Sequence, residues 1–233
     1  MGNTDIIDGN FFKEIKKPLS FYILRHGETM SNSEGRIQGR SECFLNDKGK
    51  SQAAMLAEYL KDKGIKRIFH SPLARAAETA SIISRELGYP EAEEESLLIE
   101  LDTGIFTGKT FHEIGLEYPD LLKEFMYKSW DVVPAAESAL LLYSRACAAW
   151  TKLKQAAMES GGSVAAVSHG GFIQWLFRSS FGHKSWMPLI TTGNCSVFEL
   201  FVRGGDGINP VYMQWKEINM LPAKGCSTAS MTL

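Results

Sequence analysis

Cysteine is scarce: four in 233 residues, and Cys43, Cys147, Cys195 and Cys226 stand far apart with no C-x-x-C pair. That scatter argues against a disulfide framework and suits free thiols in a reducing compartment. Long apolar runs are missing as well, since none approaches the roughly 18 residues of a membrane span. Positive charge is not in excess. A net charge of -2 and a pI near 6.2 argue against a general binder of nucleic acid or of membrane surfaces. If the chain handles an anion, the positive charge must be local. The first 18 residues carry Asp5, Asp8 and Glu14 and no continuous apolar stretch, so no signal peptide is expected. Asn194-Cys195-Ser196 is then read as a chance match to a glycosylation sequon. The expectation is a soluble, cytoplasmic protein without a nucleic-acid or membrane partner.

Several chemical motifs are missing too. There is no G-x-x-x-x-G-K-[ST] and no G-x-G-x-x-G, which leaves nucleotide-loop readings without support. No G-x-S-x-G elbow marks a serine hydrolase. His26, His70, His112, His169 and His183 form no H-x-x-x-H arrangement, so no metal site is expected. No cofactor is called for.

What is present is an ordinary globular composition, 44% hydrophobic and 22% charged, long enough for one substantial core. Residues 1–17 form a polar extension with two apolar pairs, Ile6-Ile7 and Phe11-Phe12, able to dock on a single domain spanning 18–221. Apolar runs predict strands at 19–24, 65–69, 96–99 and 163–167. Helical spacing predicts helices from Asn46-Asp47 to Lys63-Gly64, from Ser71-Pro72 through Leu87, from Ala135 to Glu159, and from just after Ser168-His169-Gly170-Gly171 through Phe181. Residues 103–134 are irregular and aromatic, which suits a lid of short helices. Runs at 196–202 and 210–215 flank Gly204–Gly207 as a hairpin, and the tail 222–233 is expected to be disordered. Strands alternating with helices predict an α/β fold, a three-layer α/β/α sandwich around a mostly parallel sheet.

Three predicted strand ends carry polar chemistry: Arg25-His26 after the first, Glu100 after the third, Ser168-His169 after the fourth. Arg75 lies early on the helix after the second. Ligands of open α/β sheets bind at the carboxyl ends of the strands, so residues this distant in sequence can meet there. Arg25 and Arg75 offer planar forks for phosphate oxygens. Two imidazoles and a carboxylate supply a nucleophile or base, a charge partner and a proton donor. Taken singly, each has a plain alternative: a solvated Arg75, a loop charge at Glu100, a helix-capping His169.

Leu24-Arg25-His26-Gly27-Glu28-Thr29 with Asn32 resembles the signature of the histidine phosphatase superfamily, in the branch with cofactor-dependent phosphoglycerate mutases. Ile37-Gln38-Gly39-Arg40, Ser71-Pro72-Leu73-Ala74-Arg75-Ala76, Thr79-Ala80, Glu100, Gly104, Gly108 and Ser168-His169-Gly170 follow in that family's order, over about residues 19 to 202. The resemblance implies a phosphoglycerate mutase-like fold and assigns roles. His26 would be the nucleophile that becomes a phosphohistidine. Arg25, Arg75 and His169 would clamp the phosphoryl oxygens and stabilise the transition state. Asn32, Gln38 and Gly170 would complete the phosphate site, and Glu100 would protonate the leaving oxygen and then activate water. Asp102 is the fallback for that acid, and His70 stands outside the first circle of contacts. The entrance loop departs from the family's usual pattern at Glu42-Cys43-Phe44-Leu45.

Mutases of the family carry a longer insertion before the second histidine, whereas 68 residues separate Glu100 from His169 here. The leading expectation is therefore a metal-independent phosphomonoesterase of the acid-phosphatase type acting on a small phosphorylated metabolite. A phosphoglycerate mutase and a non-catalytic phospho-ligand-binding module are the alternatives. The substrate and the oligomeric state, a homodimer included, stay open.

Overall fold

The computed structural model describes residues 7–89, 91–205 and 210–222. Strand β1 (Leu19–Arg25) is followed by a one-turn helix α1 (Met30–Ser33) and by α2 (Asp47–Leu60). Then come β2 (Ile65–His70), α3 (Ala74–Leu87) and the two-residue strand β3 (Glu93–Glu94). Short helices α4 (Phe111–Glu117) and α5 (Pro119–Lys128) precede the long α6 (Ala139–Ser160). The chain finishes with β4 (Ser163–Ser168), α7 (Gly170–Ser179), β5 (Val197–Arg203) and β6 (Tyr212–Met220).

The six strands form one sheet in the order β3-β2-β4-β1-β5-β6, parallel from β3 to β1 and antiparallel at β5 and β6. Alternation along the strands divides the core. Phe21, Ile23, Val164, Ala166, Phe198 and Leu200 face one layer, with α6, α7 and Trp150. Tyr22, Leu24, Ala165, Val167 and Val197 face the other, with α2 and α3. A period of two on a sheet covered on both faces produces this split. Residues 7–15 belong to the first layer: Ile7, Phe12 and Ile15 are buried there, and the Phe12 ring centroid lies 5.4 Å from that of Phe21. Ile6, residues 206–207 of the predicted hairpin turn, and the tail from 223 lie outside the described residues.

Three expectations about elements need correction. Residues 96–99 are not a strand: Ser96–Leu98 is a 3-10 turn, and the strand beside β2 is Glu93–Glu94. The Glu95 side chain accepts the Leu97 N–H, and Arg145 takes the carbonyls of Leu97 and Ile99. Side chains therefore hold the groups a sheet ladder would need. Helix α6 starts at Ala139 rather than Ala135, because Ala135 is left-handed (φ 62°) and Ser138 caps the first turn. Ser71 does not cap α3, whose N-cap is Leu73 without a side-chain bond.

Residues 103–134 enclose a small core of their own. Phe106, Ile114 and Val133 are buried against Tyr118, Leu122, Phe125 and Trp130. Their aromatics pack on one another, Phe125 and Trp130 with centroids 5.0 Å apart.

Candidate active site

Parallel pairing of β1, β4 and β2 aligns three carboxyl ends. Arg25 registers with Ser168, and His70 with Val167, so His26, His169 and Ser71 emerge side by side. The His26 and His169 rings lie with centroids 5.1 Å apart, and both are buried.

His26 is held by its backbone. Its N–H donates to the Ser168 carbonyl, and its carbonyl accepts from Cys195 N–H and Asn194 Nδ2. The ring Nδ1 lies 2.7 Å from the Gly27 carbonyl. A carbonyl only accepts, so Nδ1 carries the proton and Nε2 keeps its lone pair. Burial, then the charges of Arg25 and Arg75, push the His26 pKa well below the ordinary histidine value. Gly27 is required because the backbone of α2 passes over it. A Cβ there would stand 2.5 Å from the Gly49 carbonyl oxygen, and one on Gly49 2.1 Å from that of Glu28.

Arg75, fully buried, donates through Nε to His169 Nδ1, through Nη1 to the Ser41 carbonyl and Cys43 Sγ, and through Nη2 to the Gly39 carbonyl. A guanidinium has five N–H donors, so one remains. His169 Nδ1 accepts, so its Nε2 carries the proton and donates to Ser71 Oγ at 2.7 Å. Burial and the neighbouring cations, Arg75 first, hold the His169 pKa well below its ordinary value. Arg25 gives Nη1 to the Thr192 carbonyl, while its buried Nε has no hydrogen-bond partner among the described residues. Buried polar atoms are rarely left so.

Asn32 sits in the capping box of α1, and its Oδ1 accepts from Thr29 and from Asn194 Nδ2. Three donors on one oxygen, the Thr29 N–H, Thr29 Oγ1–H and Asn194 Nδ2, fix the amide orientation and identify Nδ2 as the other end. Gln38 is buried, and its Oε1 receives Cys43 Sγ–H. It thus joins the loop that Arg75 tethers. Gly170 begins α7, and its Cα packs against Arg25: a Cβ would lie 3.4 Å from Arg25 Nε.

Glu100 reaches this group from the 3-10 turn rather than from a strand end. Its carboxylate accepts the N–H groups of Leu101, Gly171 and Phe172, the last two in the first turn of α7. A Cβ on Gly171 would meet Glu100 Oε1 at 2.7 Å and Leu101 Cδ2 at 2.2 Å, so the approach needs glycine. Asp102 instead receives the Gly104 N–H and faces Arg40. His70 turns away, its Nδ1 on the Ser71 carbonyl, and lines a separate cleft of about 790 Å³ with Lys50, Glu78 and Arg85. Among the described residues no three His, Cys, Asp or Glu side chains gather as a metal site, and no helix is long and apolar enough to cross a membrane.

Sequence reasoning missed Asn194, Ser71 Oγ as the partner of His169, and the Gly171 contact. Nothing in the local sequence of Asn194, a chance sequon, places it beside His26. Thr79, one turn after Arg75, accepts the Gly27 N–H and donates to the Arg75 carbonyl, which gives the Thr79-Ala80 motif a physical task.

The α/β sheet thus brings two histidines and two arginines together at the carboxyl ends of its parallel strands. The chain belongs to the histidine phosphatase superfamily, branch 1, whose family model matches residues 21–213. It is 32% identical over 206 residues to phosphoglycerate mutase-like protein 4 of Arabidopsis thaliana, covering 87% of each chain. The structure of a mycobacterial glucosyl-3-phosphoglycerate phosphatase complexed with VO3 is similar at 26% identity and a TM-score of 0.74, over 86% of this chain and 99% of that one. That of a phosphoglycerate mutase from Bacillus anthracis is similar at 25% and 0.69, over 89% and 95%.

Proposed function

We propose that the protein is a phosphomonoesterase that works through a phosphohistidine on His26. The observation that carries this reading is the buried, neutral His26 with its Nε2 lone pair free, beside Arg25 whose buried Nε lacks a partner. A neutral imidazole is the nucleophilic form. Both the orphan Nε and the remaining Arg75 proton suit phosphoryl oxygens. Asn32 Nδ2 and the His169–Arg75 pair add fixed dipoles where charge grows in transfer.

In the first step His26 Nε2 bonds to phosphorus as the bond to the leaving oxygen breaks, and Glu100 gives that oxygen a proton. In the second, water attacks phosphorus, Glu100 takes its proton, the N–P bond breaks and phosphate leaves. The substrate is a small phosphorylated metabolite. The mutase reading rests on the names of relatives such as the Arabidopsis protein. Against it stands the 68-residue interval between Glu100 and His169, nearly a third of it helix α6, which leaves little chain to seal the site against water.

Two measurements test the proposal. Acid-sensitive, base-stable labelling after brief exposure to a labelled phosphomonoester is expected in the wild type and not in His26→Ala. Incubation with 3-phosphoglycerate and 2,3-bisphosphoglycerate is expected to release phosphate; conversion to 2-phosphoglycerate without it would replace the phosphatase by the mutase.

A further inference from the structure

Around the backbone that leads into Glu100, three charged side chains form one unit. Glu137 accepts Arg145 Nε on Oε1 at 3.0 Å and Arg145 Nη2 on Oε2 at 2.7 Å. The same Oε2 accepts Arg40 Nη2 at 2.9 Å. Both arginines then turn to one stretch of backbone. Arg145 Nη1 donates to the carbonyls of Leu97 and Ile99, and Arg40 Nε to that of Glu100. The Arg145 guanidinium also lies 3.9 Å over the Phe172 ring, and the Phe172 N–H is one of the three that hold the Glu100 carboxylate. Glu137 and Arg145 are nearly buried, with side-chain exposures of 11% and 13%.

From this geometry, and resting on the phosphatase reading above, we infer that Glu137 is a positioning residue for Glu100. Its carboxylate locks Arg40 and Arg145 into a brace that holds both the backbone and the carboxylate of the proton-transfer residue. In and just after the 3-10 turn, the carbonyls of Ser96 and Leu98 accept from Ile99 N–H and Ser168 Oγ, whereas those of Leu97, Ile99 and Glu100 take their donors from the brace. A bidentate Arg–carboxylate pair adds orientation as well as attraction. A group that transfers a proton must sit within hydrogen-bond reach of the leaving oxygen, and a small displacement of it lowers the rate steeply.

A loose Glu100 has a signature that general destabilisation lacks. Protonation matters for an alkoxide leaving group and little for 4-nitrophenolate. The test measures kcat/KM, which reports phosphorylation of the enzyme, for an alkyl phosphate and for 4-nitrophenyl phosphate. Glu137→Gln keeps the shape but weakens the brace. It is expected to lose about tenfold or more on the alkyl ester and much less on the aryl ester, while Glu100→Gln shows the same bias more strongly. In the double variant the bias should be no greater than in Glu100→Gln alone. Arg40→Gln, at a more exposed position, provides a second variant if Glu137→Gln folds poorly, and it should show the same bias. Equal losses on both esters, in both brace variants, would overturn the positioning role. If Glu100→Gln itself shows no bias, the assignment of Glu100 fails first and the brace loses its purpose with it.

Discussion

Arg75 Nε lies 3.2 Å from His169 Nδ1, and this single contact fixes which nitrogen of His169 carries the proton. The Nε2–H then has Ser71 Oγ as its partner. The same guanidinium ties down the loop of Gly39, Ser41 and Cys43, so Arg75 joins the imidazole to the entrance. Lysine offers a point charge without the fork. Arg75→Lys is expected to reduce kcat/KM about 10²-fold, the usual consequence of losing one oriented donor, and to speed amide exchange at residues 39–43. Wild-type exchange in that loop would show that the tether is not what holds it.

Asn194 donates one amide nitrogen to both Asn32 Oδ1 and the His26 carbonyl. Removing a hydrogen bond of this kind costs about 1 kcal/mol. Asn194→Ala is therefore expected to lower Tm by about 2–4 °C and, by releasing the Asn32 amide, to lower kcat/KM roughly fivefold at temperatures where the variant is fully folded. Asn194→Asp should be worse, because it sets a carboxylate against two acceptors. The two variants, assayed together, check the orientation argument; equal activities would defeat it.

Gly49 and Gly27 let two backbones touch immediately after His26. Gly49→Ala puts a methyl group 2.1 Å from the Glu28 carbonyl oxygen, and overpacking against backbone costs about 1–3 kcal/mol. Tm should fall, with a further loss of activity at temperatures where the variant is fully folded. Gly115→Ala is the control, since its Cβ would meet only the end of the Leu122 side chain at 3.4 Å. A stable, fully active Gly49→Ala protein would contradict the close approach.

His26 and His169 are both held well below the ordinary histidine pKa, chiefly by burial. Each binds a proton more readily in the unfolded chain. Stability from their neutral burial is thus complete above about pH 6.5 and is lost as pH falls toward the depressed folded values. Between about pH 7 and pH 5 the wild type should lose stability more steeply than a His26→Gln/His169→Gln variant, by up to ~1.4 kcal/mol per pH unit for each histidine. Denaturant titrations at several pH values measure this; parallel slopes would mean that the rings titrate normally.

Much of this molecule could be read along the chain. The apolar run Phe21-Tyr22-Ile23-Leu24 and the helical spacing of Ala53, Leu56, Ala57 and Leu60 reflect local burial, so β1 and α2 were legible. Arg25-His26 and Ser168-His169 were legible for a related reason: costly polar groups directly after buried strands. Ser96–Ile99 misled because an apolar run does not say whether side chains or strands will take its backbone groups, and there Glu95 took the Leu97 N–H and Arg145 the carbonyls of Leu97 and Ile99. Asn194 was illegible because its partners lie some 160 residues away in sequence.

The sequence by itself determined the alternation of strands and helices and the residue types available for phosphoryl chemistry, since both follow from local pattern and side-chain identity. Only the tertiary structure decided that Nε2 of His26 is the free nitrogen, that Arg75 orients His169, and that α7 and Arg145 hold Glu100 and the turn before it. Those are hydrogen bonds between distant segments. They exist only once parallel pairing has set β1, β4 and β2 side by side.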